Sequence, residues 1–133
     1  MTTDRRRDES PGQTSRVEKL GVKPGHLTLL VGITDPMFLA ELQNQGARIT
    51  TSATPDLIFC AVESRAALQQ LSRLAKRMKR QGALWTIRRK GSPLVSQADV
   101  HRAGKAAGLV DVKVVRFSDT HTADKFVVPL AQR

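Results

Sequence analysis

A chain of 133 residues, 40% hydrophobic and 4% aromatic with no tyrosine, has the length of one domain and must build an aliphatic core. At this size it folds without help from a disulfide or a metal. Its lone Cys60 excludes an internal disulfide, and its three histidines offer no ordinary zinc spacing. The formal charge of +10 suits acidic partners, and also plain solubility.

The charge is unevenly placed. In residues 1–16, four arginines face three acids and nearly cancel, so the excess belongs to the rest of the chain. No acid occurs between Glu63 and Asp99, an interval that holds Arg65, Arg73, Lys76, Arg77, Lys79, Arg80, Arg88, Arg89 and Lys90. There is no signal-peptide pattern, and no apolar run approaches the roughly 18 residues that suggest a membrane span. The expectation is a soluble, cytoplasmic protein without membrane contact.

Residues 1–16 are polar and contain Pro11-Gly12; they bury too little to offset their ordering entropy and read as a disordered tail. Residues 17–133 read as a single α/β domain. Ser15 and Glu18 have capping-box spacing, but Gly21 and Pro24 allow only a turn or two of helix. Leu27 to Val31 is an apolar run of strand length, as in a central strand covered on both faces. Asp35-Pro36 starts a helix, with Asp as N-cap and Pro in the first turn, and Gly46 ends it.

"ARITTSA" predicts a short second strand and "DLIFCAV" a third. Ser64 caps a helix predicted over 65–80, whose apolar face carries Ala67, Leu68, Leu71, Leu74, Ala75 and Met78. Arg73, Lys76, Arg77 and Arg80 lie opposite. "ALWTIRR" is a fourth strand, and a helix from about Gln97 to Ala107 stops at Gly108. "VDVKVVRF" alternates, placing Val110, Val112, Val114 and Arg116 on one face, and "DKFVVPL" is the last strand. Strands alternating with helices imply a mostly parallel sheet with right-handed crossovers. The short connection "SDTHTA" makes the last two strands an antiparallel pair.

This order, with "QGALWTIRRK" and "AAGLVDVKVVRFSD", resembles a shortened class I methyltransferase-like Rossmann domain. Gln81-Gly82-Ala83 stands where that fold commonly has a Pro-Gly-Gly-type turn, and Ala107-Gly108-Leu109 where a helix commonly ends in an Ala-Gly-hydrophobic step. More narrowly, "KLGVKPGH", "SRAAL", "GALWTIRRK" and "AGLVDVKVV" resemble a family of small bacterial proteins, over about residues 18–128. That resemblance implies a fold and assigns no particular activity. It implies a three-layer α/β domain with a six-stranded sheet in the order 2-1-3-4-6-5. It also implies a switch point between strands 1 and 3, where open α/β sheets bind ligands beyond the strands' carboxyl ends.

Gly32, Thr34 and Asp35, with Glu63, Ser64 and Arg65, would edge that crevice, and Arg88, Arg89 and Lys90 come up on the neighbouring strand. An adenosylmethionine site needs a glycine-rich turn, because the cofactor approaches the backbone closely, and an acid after strand 2 for the ribose hydroxyls. "VGITDP" offers one glycine, "TTSATP" offers no acid, and Pro36 removes a backbone donor. No cofactor is expected, and no catalytic or metal-binding residue stands out. Cys60 reads as core packing, and His26, His101 and His121 as surface residues.

Arg73, Lys76, Arg77 and Arg80 have no acid on their helix and repel one another by about a few tenths of a kcal/mol per pair. With Arg88, Arg89 and Lys90 they form a candidate nucleic-acid surface. The sequence favours a non-catalytic domain acting through macromolecular contacts, with a protein or a nucleic acid as partner. Its alternatives are a phosphate-backbone-binding accessory protein and a reduced enzyme that uses the crevice for a small ligand.

Overall fold

The computed structural model describes residues 15–132. Six strands form one sheet in the order β2-β1-β3-β4-β6-β5. They are β1 (Leu27–Val31), β2 (Arg48–Ile49), β3 (Leu57–Ala61), β4 (Ala83–Arg89), β5 (Val110–Arg116) and β6 (His121–Val127). The first four run parallel, and β6 lies antiparallel between β4 and β5. This is the expected α/β order, with its reversal between β1 and β3.

Helices cover both faces. On one, α1 (Arg16–Lys19) and α2 (Pro36–Asn44) bring Val17, Leu20, Phe38 and Leu42 against Phe59, Trp85 and Ala123. On the other, α3 (Arg65–Leu68), α4 (Leu71–Arg77) and α5 (Gln97–Ala106) set Leu71, Leu74 and Val100 against Ile58, Leu84 and Phe126. Cys60 is buried there, and burial pushes its thiol up to about 11, which leaves it inert at neutral pH.

Helix starts follow local chemistry. The Asp35 carboxylate accepts from the backbone N–H groups of Met37 and Phe38, ahead of Pro36. Ser64 caps α3, and Ser96 with Asp99 forms a full capping box on α5. Gly46 and Gly108 follow α2 and α5 at φ +87 and +84.

Several expectations are corrected. The strand predicted over 47–53 is only two residues long, because the Thr50 hydroxyl accepts from the N–H groups of Ser52 and Ala53 and turns the chain away. The helix predicted over 65–80 is two pieces. At the break, Gln69 and Gln70 donate to Ala66 and Ala67, three residues back, which tightens the turn. Met78 is extended, so α4 ends before Lys79 and Arg80.

In β5 a bulge between Asp111 and Lys113 breaks the strict alternation. Val110, Val112 and Val114 therefore do not form one inner row: all three are exposed, and Val115 is the buried valine, opposite Ala123. The last strand starts earlier than predicted, at His121, because Phe117 and Ser118 both donate to its carbonyl and close a tight hairpin. Residues 1–14 of the expected tail lie outside the described residues. Arg16, assigned to that tail, opens α1: its guanidinium makes a two-point bridge to Glu41 at 2.9 and 2.8 Å and lies over the rings of Phe38 and Phe117. No helix among the described residues is long and apolar enough to cross a membrane.

Candidate functional site

The chain leaves β1 through Gly32, whose φ of +73 favours glycine. This turn, the end of β3 and the β5–β6 hairpin enclose a crevice of about 420 Å³ at the switch point. Gly32, Thr34, Asp35 and Glu63 meet there as expected. Ser64 does not: its hydroxyl is spent on the N–H of Ala67. Arg65 opens α3 and is also outside the lining.

His121 is the residue that sequence reasoning missed. It begins β6 beside Arg89 on β4, so the sheet order carries it to the crevice. Its Nε2 lies 3.0 Å from Oε2 of Glu63 and its Nδ1 2.8 Å from the Thr120 hydroxyl. In the neutral ring, Nε2–H donates to Glu63 and Nδ1 accepts from Thr120. Both ring nitrogens then have partners within the protein. Fifty-eight residues separate Glu63 from His121, and no local pattern connects them.

Asp35 is committed as well. One oxygen caps α2, and the other lies 3.6 Å from the Arg16 guanidinium. Arg16 also donates to the carbonyl of Phe117 at 3.0 Å, which ties α1 to the hairpin and braces the crevice wall.

The basic residues are not brought together as one surface. Arg73, Lys76 and Arg80 are exposed on and just past α4, and Arg77 donates to the Thr51 carbonyl. Arg88 is corrected out of the set: its Nε lies 3.3 Å from Oδ2 of Asp124, and its side chain is only 12% exposed. Arg89 and Lys90 are exposed at the far end of β4, separated from Arg80 by the length of that strand, on the order of 20 Å. Among the described residues no group of three or more His, Cys, Asp or Glu side chains is placed to hold a metal.

Solved structures share this architecture. A putative methyltransferase from Thermoplasma acidophilum superposes with a TM-score of 0.62 at 12% identity, over 84% of this chain and 71% of its own. A SAM-dependent methyltransferase from Aquifex aeolicus gives 0.66 at 16% identity, over 84% and 87%. Magnesium protoporphyrin IX methyltransferase from Synechocystis PCC 6803, solved with bound SAH, gives 0.57 at 13%, over 85% and 78%. The chain has a methyltransferase-like Rossmann fold. No protein-family model and no curated protein matches it.

The residues of this methyltransferase-like domain do not fit adenosylmethionine. The turn after β1 holds one glycine, and a Cβ on it would lie 3.3 Å from that of Ala61. The segment after β2, where the ribose hydroxyls need an acid, is a Thr50–Ser52 turn without a carboxylate. The two carboxylates that reach the crevice, Asp35 and Glu63, are held by Arg16 with the α2 amides and by His121.

Proposed function

We propose that this domain keeps the methyltransferase fold without methyl transfer, and acts through macromolecular contact, with its α4 face against the phosphate backbone of nucleic acid. The observation that carries the reading is the α4 face itself. Arg73, Lys76 and Arg80 are exposed, they make no ion pair among the described residues, and no carboxylate lies on α3 or α4. A merely solvated helix face usually mixes acids with bases to gain pairs one turn apart.

The mode of contact follows from the aromatics. Trp85 and all four phenylalanines are buried, so none is available as a platform for a base. Contact is therefore to phosphates, tolerant of sequence and sensitive to salt. The crevice supports the non-catalytic half of the reading, because its Asp35 carboxylate and both nitrogens of its His121 already have partners within the protein.

The test is a fluorescence titration of labelled RNA and duplex DNA at rising salt concentration. Binding at low salt that weakens steeply with salt is expected. Absence of binding at low salt would overturn the nucleic-acid reading and leave a protein as the partner. A rise of several degrees in melting temperature with adenosylmethionine would overturn the non-catalytic reading.

A further inference from the structure

The surface of α4 does not end with the helix. The Arg77 guanidinium donates to the Thr51 carbonyl at 3.1 Å, which joins the end of α4 to the turn that follows β2. Thr50 sets that turn, its hydroxyl accepting from the N–H groups of Ser52 and Ala53. Thr51 and Ser52 are exposed, and their hydroxyls have no hydrogen-bond partner among the described residues. Arg48, on β2, comes up on the same side. Side chains alternate along β1, so Leu27 shares the face of Leu29, which lies in the core that α4 covers with Leu71 and Leu74. Arg48 is the register partner of Leu27 and therefore points to that face as well. It stands on an edge strand, is exposed, and makes no ion pair among the described residues.

We propose, resting on the α4 reading, that α4 and the β2 turn form one face for the phosphate backbone of a nucleic-acid duplex, with Arg48 as a further cation and the Thr51 and Ser52 hydroxyls as neutral donors. The face carries no free acid. No Asp or Glu occurs between Glu41 and Asp56, or between Glu63 and Asp99. Asp56, at the foot of the turn, is already used: one oxygen accepts from Lys79 at 2.7 Å and the other from the Leu27 N–H at 2.7 Å. A negative polymer thus meets cations on the helix, hydroxyls on the turn and a cation again on β2, with no unpaired carboxylate along the way.

The choice of a duplex follows from charge density and from the aromatics. A duplex carries about one charge per 1.7 Å of its axis, and one strand of it about one per 3.4 Å. Single strands make up the difference by stacking their bases on aromatic rings. Trp85 and all four phenylalanines are buried, so this face can meet only phosphates, and a duplex presents more of them. The two kinds of contact also leave different marks. A guanidinium on a phosphate releases a counterion and steepens the salt dependence, whereas a hydroxyl adds affinity without doing so.

The test is a salt titration of the full chain with a labelled duplex of mixed sequence and with one of its strands. Tighter binding of the duplex is expected. Arg48→Gln should make the duplex slope shallower by about 0.9, the mark of one lost phosphate contact, and Arg48→Lys should keep it. Ser52→Ala should weaken binding about fivefold at unchanged slope, the loss of one neutral hydrogen bond. Arg89→Gln, at the far end of β4, should change neither. Should Arg48→Gln fail to fold, Ser52→Glu on the exposed turn decides, and it should weaken duplex binding at least as much as Ser52→Ala. An unchanged slope in Arg48→Gln, or undiminished binding by Ser52→Glu, beside a slope that Arg73→Gln flattens, would overturn the extension and leave the α4 reading standing. A single strand bound as tightly as the duplex would overturn the choice of partner. No binding of either at low salt would overturn the α4 reading, and this one with it.

Discussion

Arg88 and Asp124 form an ion pair across β4 and β6, with Nε 3.3 Å from a carboxylate that is wholly closed to solvent. The other oxygen of Asp124 faces His101 on α5 at 3.6 Å, and neither of those two atoms has a hydrogen-bond partner among the described residues. Arg88 is therefore the charge that makes the buried acid tolerable. Arg88→Ala should cost about 3 kcal/mol or more, because it leaves that acid without its cation. Arg89→Ala, one residue along and exposed, should stay within about 0.5 kcal/mol. Urea unfolding of the two variants gives the comparison, and equal midpoints would remove the structural role assigned to Arg88.

Gly104 makes a prediction of opposite sign to the usual rule. Alanine inside a helix is normally better than glycine by about 1 kcal/mol. At this position of α5 an added Cβ would collide with the ring of Phe126, which is fully buried in the sheet. Gly104→Ala should therefore destabilise by about 1–3 kcal/mol, as overpacked cores do. A melting temperature at or above the parent's would show that α5 shifts freely, and that the close approach to the sheet is not fixed.

What the sequence made legible was what local chemistry decides. Asp35-Pro36 and Ser64 announce their helices because caps are made by neighbours in the chain. The sheet order also came through, since strand and helix alternation, read with the family resemblance, leaves few topologies. The break at Gln69–Gln70 was hidden, because both residues keep right-handed geometry and the apolar stripe continues across it. Only the hydrogen-bond spacing changes there, and hydropathy does not record it. The bulge in β5 was hidden for another reason: it arises from pairing with β6, and the valine alternation in the sequence points the other way. The candidate site divides similarly. Gly32, Asp35 and Glu63 are strand-end residues and could be placed. His121 needed the β4–β6 pairing, and the loss of Arg88 to Asp124 needed the same pairing.

Asp56 ties stability to pH. Burial alone would raise its carboxyl, but the bonds from Lys79 and the Leu27 N–H outweigh that and hold it below its ordinary 3.8. A carboxylate depressed by folding stabilises the native state above its unfolded value, and the contribution is lost as pH falls through the folded value. Asp56→Asn should therefore be less stable than the parent at pH 7, and the gap should narrow at pH 3. Denaturation curves at the two pH values measure it. A gap that stays constant would mean that the Lys79 bridge does not bias the ionisation of Asp56.

The α4 face should declare itself through ion release. If Arg73, Lys76 and Arg80 each neutralise one phosphate, the logarithm of affinity should fall against the logarithm of salt with a slope of about −2.7 on duplex DNA and about −2.1 on a single strand. Each change to glutamine should make the slope shallower by about 0.9 on duplex and weaken binding alike across sequences, since no base is read. Arg89→Gln and Lys90→Gln lie a strand's length away and should leave the slope in place. A slope that drops only with those two would move the interface to the crevice rim. A slope that drops with both groups would require one strand to wrap the α3–α4 side of the domain from the crevice to the opposite edge.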